Sequence, residues 1–173
     1  MAIMKIVNNT YPDYNSVDNL FNYILNREHG WIGDIASNLL LTINTSFIAE
    51  QMRKVSAFFG KDNRRIVRHI VISYDPYYEN WISPEQRMHN IRECMEIYFP
   101  ENQWMIAMHE KNGESHIHIV YNLTNVYTGE QLREGGGFFE KLAYGFSCHG
   151  FMGKGKMRNL RYLVYYGDSF KNP

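Results

Sequence analysis

Apolar residues recur along the chain at two spacings, and the switch between them separates predicted helices from predicted strands. Val17, Leu20, Phe21, Ile24 and Leu25 form one stripe at helical spacing, with Ser16 placed to cap it and Gly30 placed to stop it, so a helix is predicted over Ser16 to Glu28. At about 100° per residue, Tyr23 points off that stripe and is not an obvious core residue. LLLTIN, from Leu39 to Asn44, reads as a short buried strand or an extended lead-in. A second helix is predicted from about Ser46 to Phe59, with Ile48, Met52, Val55 and Phe59 on one face and Gly60 at its end. IVRHIVISY, from Ile66 to Tyr74, is rich in β-branched residues and predicts a strand that Pro76 stops. Ser83, Pro84 and Gln86 make a strong helix start, Met88, Ile91, Met95 and Tyr98 make its stripe, and Pro100 closes it. Gln103 to His109 and Ser115 to Leu123 alternate as two strands around Asn112-Gly113, the strongest short hairpin signal in the chain. Beyond Gln131 the pattern weakens to a Gly135-Gly136-Gly137 loop, a short helix over Phe138 to Tyr144 and a last strand over Leu160 to Tyr166. The expectation is an α+β domain with a central antiparallel sheet and helices packed mainly on one face.

The hairpin carries the candidate chemistry. A turn centred on Asn112-Gly113 sets His109 opposite His116, and His118 lies on the same face two residues along. Three imidazoles then converge on one side, together with Met105 and Ala107. Trp104, Ile106, Met108, Ile117, Ile119 and Tyr121 take the other side and are apolar enough to face helices. A slip of one residue would undo this pattern. Neutral imidazole is a good ligand for divalent transition metals, and three such ligands leave positions open to substrate oxygens. Three imidazoles suit Mn, Co, Ni or Zn, and Mg becomes acceptable where phosphate and water supply the remaining oxygens.

Composition narrows the classes. With 173 residues, 45% hydrophobic and 15% aromatic, the chain is expected to be one folded domain over residues 1–173. No apolar run approaches the roughly 20 residues of a membrane span, and MAIMKIVNNTYPDYN has no sustained apolar core of a secretory signal. Two cysteines, Cys94 and Cys148, are too few for a metal knuckle or a disulfide framework, which fits a reducing cytoplasm. Net charge is zero, which argues against a simple basic nucleic-acid binder, but the charges are segregated. Arg53 to Val71 carries six bases against Asp62, Asp75 to Glu114 carries eight acids against three bases, and Gln131 to Tyr166 carries six bases against Glu134 and Glu140. These runs read either as solvated faces or as two basic surfaces flanking an acidic centre able to attract a metal. GFMGKGKMR, from Gly150 to Arg158, lacks the spacing and the Ser/Thr of a phosphate-binding Walker loop.

HEKNGESHIHIVYNLTNVYTGEQL resembles the signature of HUH endonucleases, in particular plasmid and transposon relaxases of the MOBP-like group. The matching residues are His109, Glu110, His116, His118, Asn122, Thr128 and Gly129. LFNYIL, with Tyr23, resembles the N-terminal tyrosine motif of relaxases, and NTSFIAEQMRKVSAFFGKDNRRIVRHIVISYDP resembles their helix and following strand, with His69 and Ser73 in place. The likeness is clearest over residues 1–132. It departs at Glu110, where an Asp is usual, and beyond Leu132, where a helical continuation is usual.

The resemblance implies an HUH-nuclease-like fold and a metal-dependent enzyme that nicks single-stranded DNA at an origin of transfer. Tyr23 would be the nucleophile and would form a 5′-phosphotyrosine, with His109, His116 and His118 holding Mg or Mn. A free tyrosine has a pKa near 10, so a neighbour must activate it, and Glu110 and His69 are the candidates. Asn122 is either a partner that orients a ligand or a polar residue ending a strand. Arg53, Lys54, Arg64, Arg65 and Arg68, with Lys154, Lys156, Arg158 and Arg161, are expected to meet DNA phosphates. Accessory DNA-binding and coupling proteins are the implied partners, and no membrane is. Rival nucleophiles are Tyr11 and Tyr14, while Tyr144 is the downstream helix tyrosine that a replication-initiator or transposase branch would require. A non-catalytic single-stranded DNA-binding module and a hydrolase unrelated to DNA are the other readings.

Overall fold

The computed structural model describes residues 2–7, 11, 14–26, 31–74, 82–111, 114–149 and 162–167. Among the described residues, six strands and four helices follow in the order β1 (Ala2–Val7), α1 (Tyr14–Leu25), β2 (Trp31–Asn38), α2 (Thr45–Phe58), β3 (Val67–Tyr74), α3 (Pro84–Tyr98), β4 (Asn102–Lys111), β5 (Glu114–Asn125), α4 (Phe138–His149) and β6 (Tyr162–Gly167). They build one sheet with strand order β2-β4-β5-β3-β1-β6. The first five of these strands pair antiparallel, whereas β6 runs parallel to β1 at the edge.

The α+β class and the antiparallel core match expectation, but the placement of the helices does not. They are divided between both faces of the sheet. Met4, Ile6, Ile70, Ile72, Trp104, Ile106, Met108, Ile117, Ile119 and Tyr121 form one buried layer under α3 and α4. Val67, Met105, Ala107 and Val120, on the histidine side, are covered by Val17, Leu20, Phe21 and Ile24 of α1 and Ile48, Ala49 and Met52 of α2. The physical reason is that both sides of β3, β4 and β5 carry apolar residues, so each needs a helical layer to exclude water.

Local chemistry explains most boundaries. Ser83 Oγ accepts the Gln86 amide at 3.2 Å, and Phe99 ends the helix with its amide on the Met95 carbonyl. Gly60, at φ +66°, takes the left-handed turn after α2. Two strands escaped the sequence pattern. β1 is short, and β2 (WIGDIASN) lacks alternation because its register shifts between Trp31 and Ile35. Of the two readings of residues 39–44, a buried strand or a lead-in, the structure shows the second, a loop into α2. Leu39 sits at φ +55°, Leu41 is 97% exposed, and Gln51 accepts the Leu41 amide at 2.6 Å while donating to the Thr42 carbonyl at 2.9 Å. Pairing of β2 with β4 ends at Asn38, so those apolar residues have no strand to join.

Candidate active site

The hairpin register sets His109 against His116 and Ala107 against His118. This is the pairing expected from a turn at 112–113, although Asn112 and Gly113 themselves lie outside the described residues. The rings of His109, His116 and His118 lie 4.6–5.5 Å apart between centroids. One donor nitrogen from each lies within 4.8 Å of the others. His109 and His118 are buried and His116 is half-buried, so the cluster opens on the His116 side.

The partners of the outer ring nitrogens decide what the inner ones can do. His109 donates its Nε2–H to the carbonyl of Ile24 in the last turn of α1. A carbonyl can only accept, so the proton sits on Nε2 and the Nδ1 lone pair is the one His109 can offer. His118 Nδ1 lies 2.8 Å from His69 Nε2, leaving Nε2 as the nitrogen His118 can present to a cation. Burial, reinforced by His69, His109 and His116, pushes His118 well below the ordinary histidine range. Metal ligation needs neutral imidazole, which this environment enforces. The donor set therefore fits a divalent metal ion.

Tyr23 projects from the last turn of α1 onto this cluster. Its ring meets the His118 ring edge-on at 5.8 Å and the His109 ring at 6.4 Å. Being half-buried off the apolar stripe is what lets it reach past the core to the histidines.

The other sequence-derived residues fall in different places. His69 shares the histidine face but stands behind His118, stacked on it at 5.1 Å, with its Nδ1 3.1 Å from the Tyr11 hydroxyl. Burial first, then His109, His116 and Lys5, pushes its pKa down to about 3. Both of its ring nitrogens are thus engaged, one by Tyr11 and one by His118. Glu110 is exposed and pairs with Ser115, one residue out of phase with His109, so strand alternation directs it to the opposite face. Of the two roles open to Asn122, its contacts do not support that of orienting a ligand. It is buried four residues beyond His118, where its amide donates to the Met52 carbonyl at 2.9 Å and to Gln103 Oε1 at 3.1 Å. Its Oδ1 accepts from Ser56 Oγ at 3.2 Å and the Thr124 amide at 2.9 Å. Asn122 thus fastens α2 to the sheet and does not touch the three histidines.

Among the expected phosphate contacts, Arg53, Lys54 and Arg64 are exposed and Arg65 is half-buried. Lys54 pairs with Glu50 at 2.7 Å, one helical turn away. Arg68 is a correction. It is buried on the sheet face opposite the histidines, where its Nε donates to both Glu134 carboxylate oxygens at 2.9 Å. Tyr121 donates to the same carboxylate at 2.7 Å, so this ion pair braces the sheet interior and does not face a ligand. Lys154, Lys156, Arg158 and Arg161 lie outside the described residues. Of the rival tyrosines, Tyr11 is buried against His69, and Tyr144 is 70% exposed on α4, whose core residues pack on the opposite face. Tyr14 begins α1. Sequence reasoning missed the Tyr11–His69 contact and the Ile24 carbonyl, because neither a loop tyrosine nor a backbone oxygen leaves a motif. Ser73, already singled out, pairs with His116 across β3 and β5 and is exposed. No helix among the described residues is long and apolar enough to cross a membrane.

Comparison with known proteins agrees with this geometry. A family model described as "Relaxase: MobA/VirD2-like, nuclease domain" matches residues 23–141, more than half of the chain. Similar curated proteins include the group II intron-interrupted relaxase LtrB of Lactococcus lactis subsp. cremoris, strain MG1363, and the protein of the same name from Lactococcus lactis subsp. cremoris. Each is 34% identical over 74 residues, which is 42% of this chain and 13% of the relative, so the match spans a small part of those proteins. Among solved structures, the MobM relaxase domain (MOBV; Mob_Pre) bound to 26-nucleotide pMV158 oriT DNA shares the fold, with a TM-score of 0.55 at 14% identity over 91% of both chains.

Proposed function

We propose that this chain, which belongs to the MobA/VirD2-like relaxase nuclease-domain family, nicks single-stranded DNA at an origin of transfer, with Tyr23 as nucleophile. The observation that carries the reading is the Tyr23 ring lying against His109 and His118 on one sheet face. The Tyr23 oxygen attacks the scissile phosphorus, the bond from phosphorus to the 3′ oxygen breaks, and the tyrosine proton ends on the released 3′-hydroxyl. The DNA 5′ phosphate stays on Tyr23 as a phosphotyrosine ester, so the step is reversible and can rejoin strands. His109, His116 and His118 would hold Mg or Mn, which when bound supplies charge neutralisation at the scissile phosphate and the leaving oxygen. The chain's own contribution is positioning. α1 holds the nucleophile at a fixed place above the histidines, which removes most of the orientational cost of attack.

Arg53, Lys54, Arg64 and Arg65 would guide the phosphate backbone, and Lys154, Lys156, Arg158 and Arg161 are further candidates for phosphate contacts. Accessory DNA-binding and coupling proteins would act with it during mobilisation of a plasmid or integrative element. The initiator or transposase alternative is disfavoured by Tyr144, whose helix packs on the opposite face. The test is a covalent-adduct assay with Mn and a pool of oligonucleotides from mobile-element transfer origins. A denaturing gel should show a protein–DNA species that Tyr23→Phe lacks. An adduct surviving that substitution moves the nucleophile elsewhere, and tight binding without any adduct favours a non-catalytic module.

A further inference from the structure

His69 belongs to none of the roles above, yet it is buried and engaged at both ring nitrogens. Tyr11 Oη, His69 Nδ1, His69 Nε2 and His118 Nδ1 form an unbroken line, with separations of 3.1 and 2.8 Å at its two contacts. Each neutral imidazole carries a single ring proton. One proton therefore occupies the His69–His118 contact, and the line has only two polarities. In the first, Tyr11 donates to His69 Nδ1, His69 Nε2–H donates to His118, and the His118 proton is left on Nε2. In the second, His118 Nδ1–H donates to His69 Nε2, and His69 Nδ1–H donates to the Tyr11 oxygen. Only the second leaves a lone pair on His118 Nε2, the nitrogen that can meet a cation.

We propose that His69, backed by Tyr11, is a positioning residue that sets the tautomer of His118, so that a bound metal ion requires the whole line to hold the second polarity. The inference rests on the reading of His109, His116 and His118 as a metal centre. It makes a nearly apolar-looking strand histidine the partner that orients a ligand and raises its basicity, a place more often held by a carboxylate or a carbonyl. His109 obtains the same service from the Ile24 carbonyl. Neither polarity places a charge in the core, because both rings stay neutral and only the side on which each proton sits differs.

The test uses the intact chain and Zn2+ as a diamagnetic probe. Imidazole nitrogen-15 spectra of the wild-type protein should place the His69 proton on Nδ1 once Zn2+ is bound, although His69 is not itself a ligand. Calorimetry should show Zn2+ and Mn2+ affinity falling about 10–100-fold in His69→Phe, which keeps a ring but loses both nitrogens. His69→Gln, whose carbonyl can still accept from His118 Nδ1–H, should restore most of the loss. If His69 keeps its proton on Nε2 with metal bound, or if His69→Phe binds metal as the wild type does, the inference is wrong and the metal centre stands. Failure of the wild-type protein to bind either ion would overturn the metal centre, and this inference with it.

Discussion

His109 donates a hydrogen bond from Nε2 to the main-chain carbonyl of Ile24, the residue after Tyr23. One contact thereby joins a prospective metal ligand on β4 to the last helical turn of α1. The carbonyl is one of the four that an α-helix leaves unpaired at its C-terminus, so the bond costs α1 nothing internally. It fixes both the tautomer of His109 and the height of Tyr23 above the cluster.

Replacing His109 should therefore do two things at once. His109→Ala should weaken Mn2+ binding by more than about 100-fold, beyond the 10–100-fold expected for loss of an outer hydrogen-bond partner alone. It should also reduce adduct formation at saturating Mn2+, because the last turn of α1 loses its anchor. Calorimetry and a single-turnover adduct assay read the two effects separately. Full adduct yield at saturating metal would show that the Ile24 contact does not place Tyr23.

Acid should destabilise the metal-free protein through its buried histidines. His69 and His118 have folded pKa values below their unfolded value of 6.5, at about 3 for His69. The unfolded chain thus binds more protons than the folded one as pH falls through 6.5. Stability is complete above that pH and is lost progressively down to about 3. Each histidine can contribute a slope of up to about 1.4 kcal/mol per pH unit. Urea midpoints measured from pH 7.5 to 4.5 should fall accordingly, and less steeply in His69→Phe. A flat profile would mean that these rings are not held neutral.

Arg64 and Arg68 are close in sequence but should behave oppositely. Arg64→Ala should lower the salt dependence of single-stranded DNA binding by about one phosphate contact and leave folding unchanged. Arg68→Ala should leave that dependence alone and cost roughly 3–5 kcal/mol of stability, since it strands Glu134 beside Tyr121. Fluorescence titrations at several salt concentrations, with denaturant melts, distinguish them. A DNA defect in a fully folded Arg68→Ala would contradict the internal ion pair.

Asn122→Ala should be a stability variant and not a site variant. It leaves Ser56, Gln103 and the Thr124 amide without their common partner, and a cost of about 3 kcal/mol is expected. Metal affinity measured well below its melting temperature should match the wild type.

The parts of this molecule legible in its sequence are those that local chemistry decides. The Ser83 cap, the stop at Gly60 and the alternation around His109, His116 and His118 depend on neighbours a few residues away, and each is where the pattern placed it. Glu110 misled because a motif carries order along the chain but not side of sheet. One residue of phase sends it to the face away from Tyr23. For LLLTIN the sequence left a strand and a lead-in open, and tertiary structure chose the lead-in. The segment's strand-forming composition was overridden by the end of the β2–β4 pairing at Asn38 and by the turn into α2.

By itself, the sequence determined the hairpin register, and with it the three-histidine face, because side-chain direction in a strand follows from counting by two. It also determined that Tyr23 would stand off the core stripe of α1. Tertiary structure alone decided that α1 and α2 cover the histidine face and not its reverse, which brings Tyr23 to within 5.8 Å of the His118 ring. It likewise buried Arg68 against Glu134 and lined up Tyr11, His69 and His118. Those outcomes depend on which layer excludes water from which side of the sheet, and no spacing along one strand contains that information.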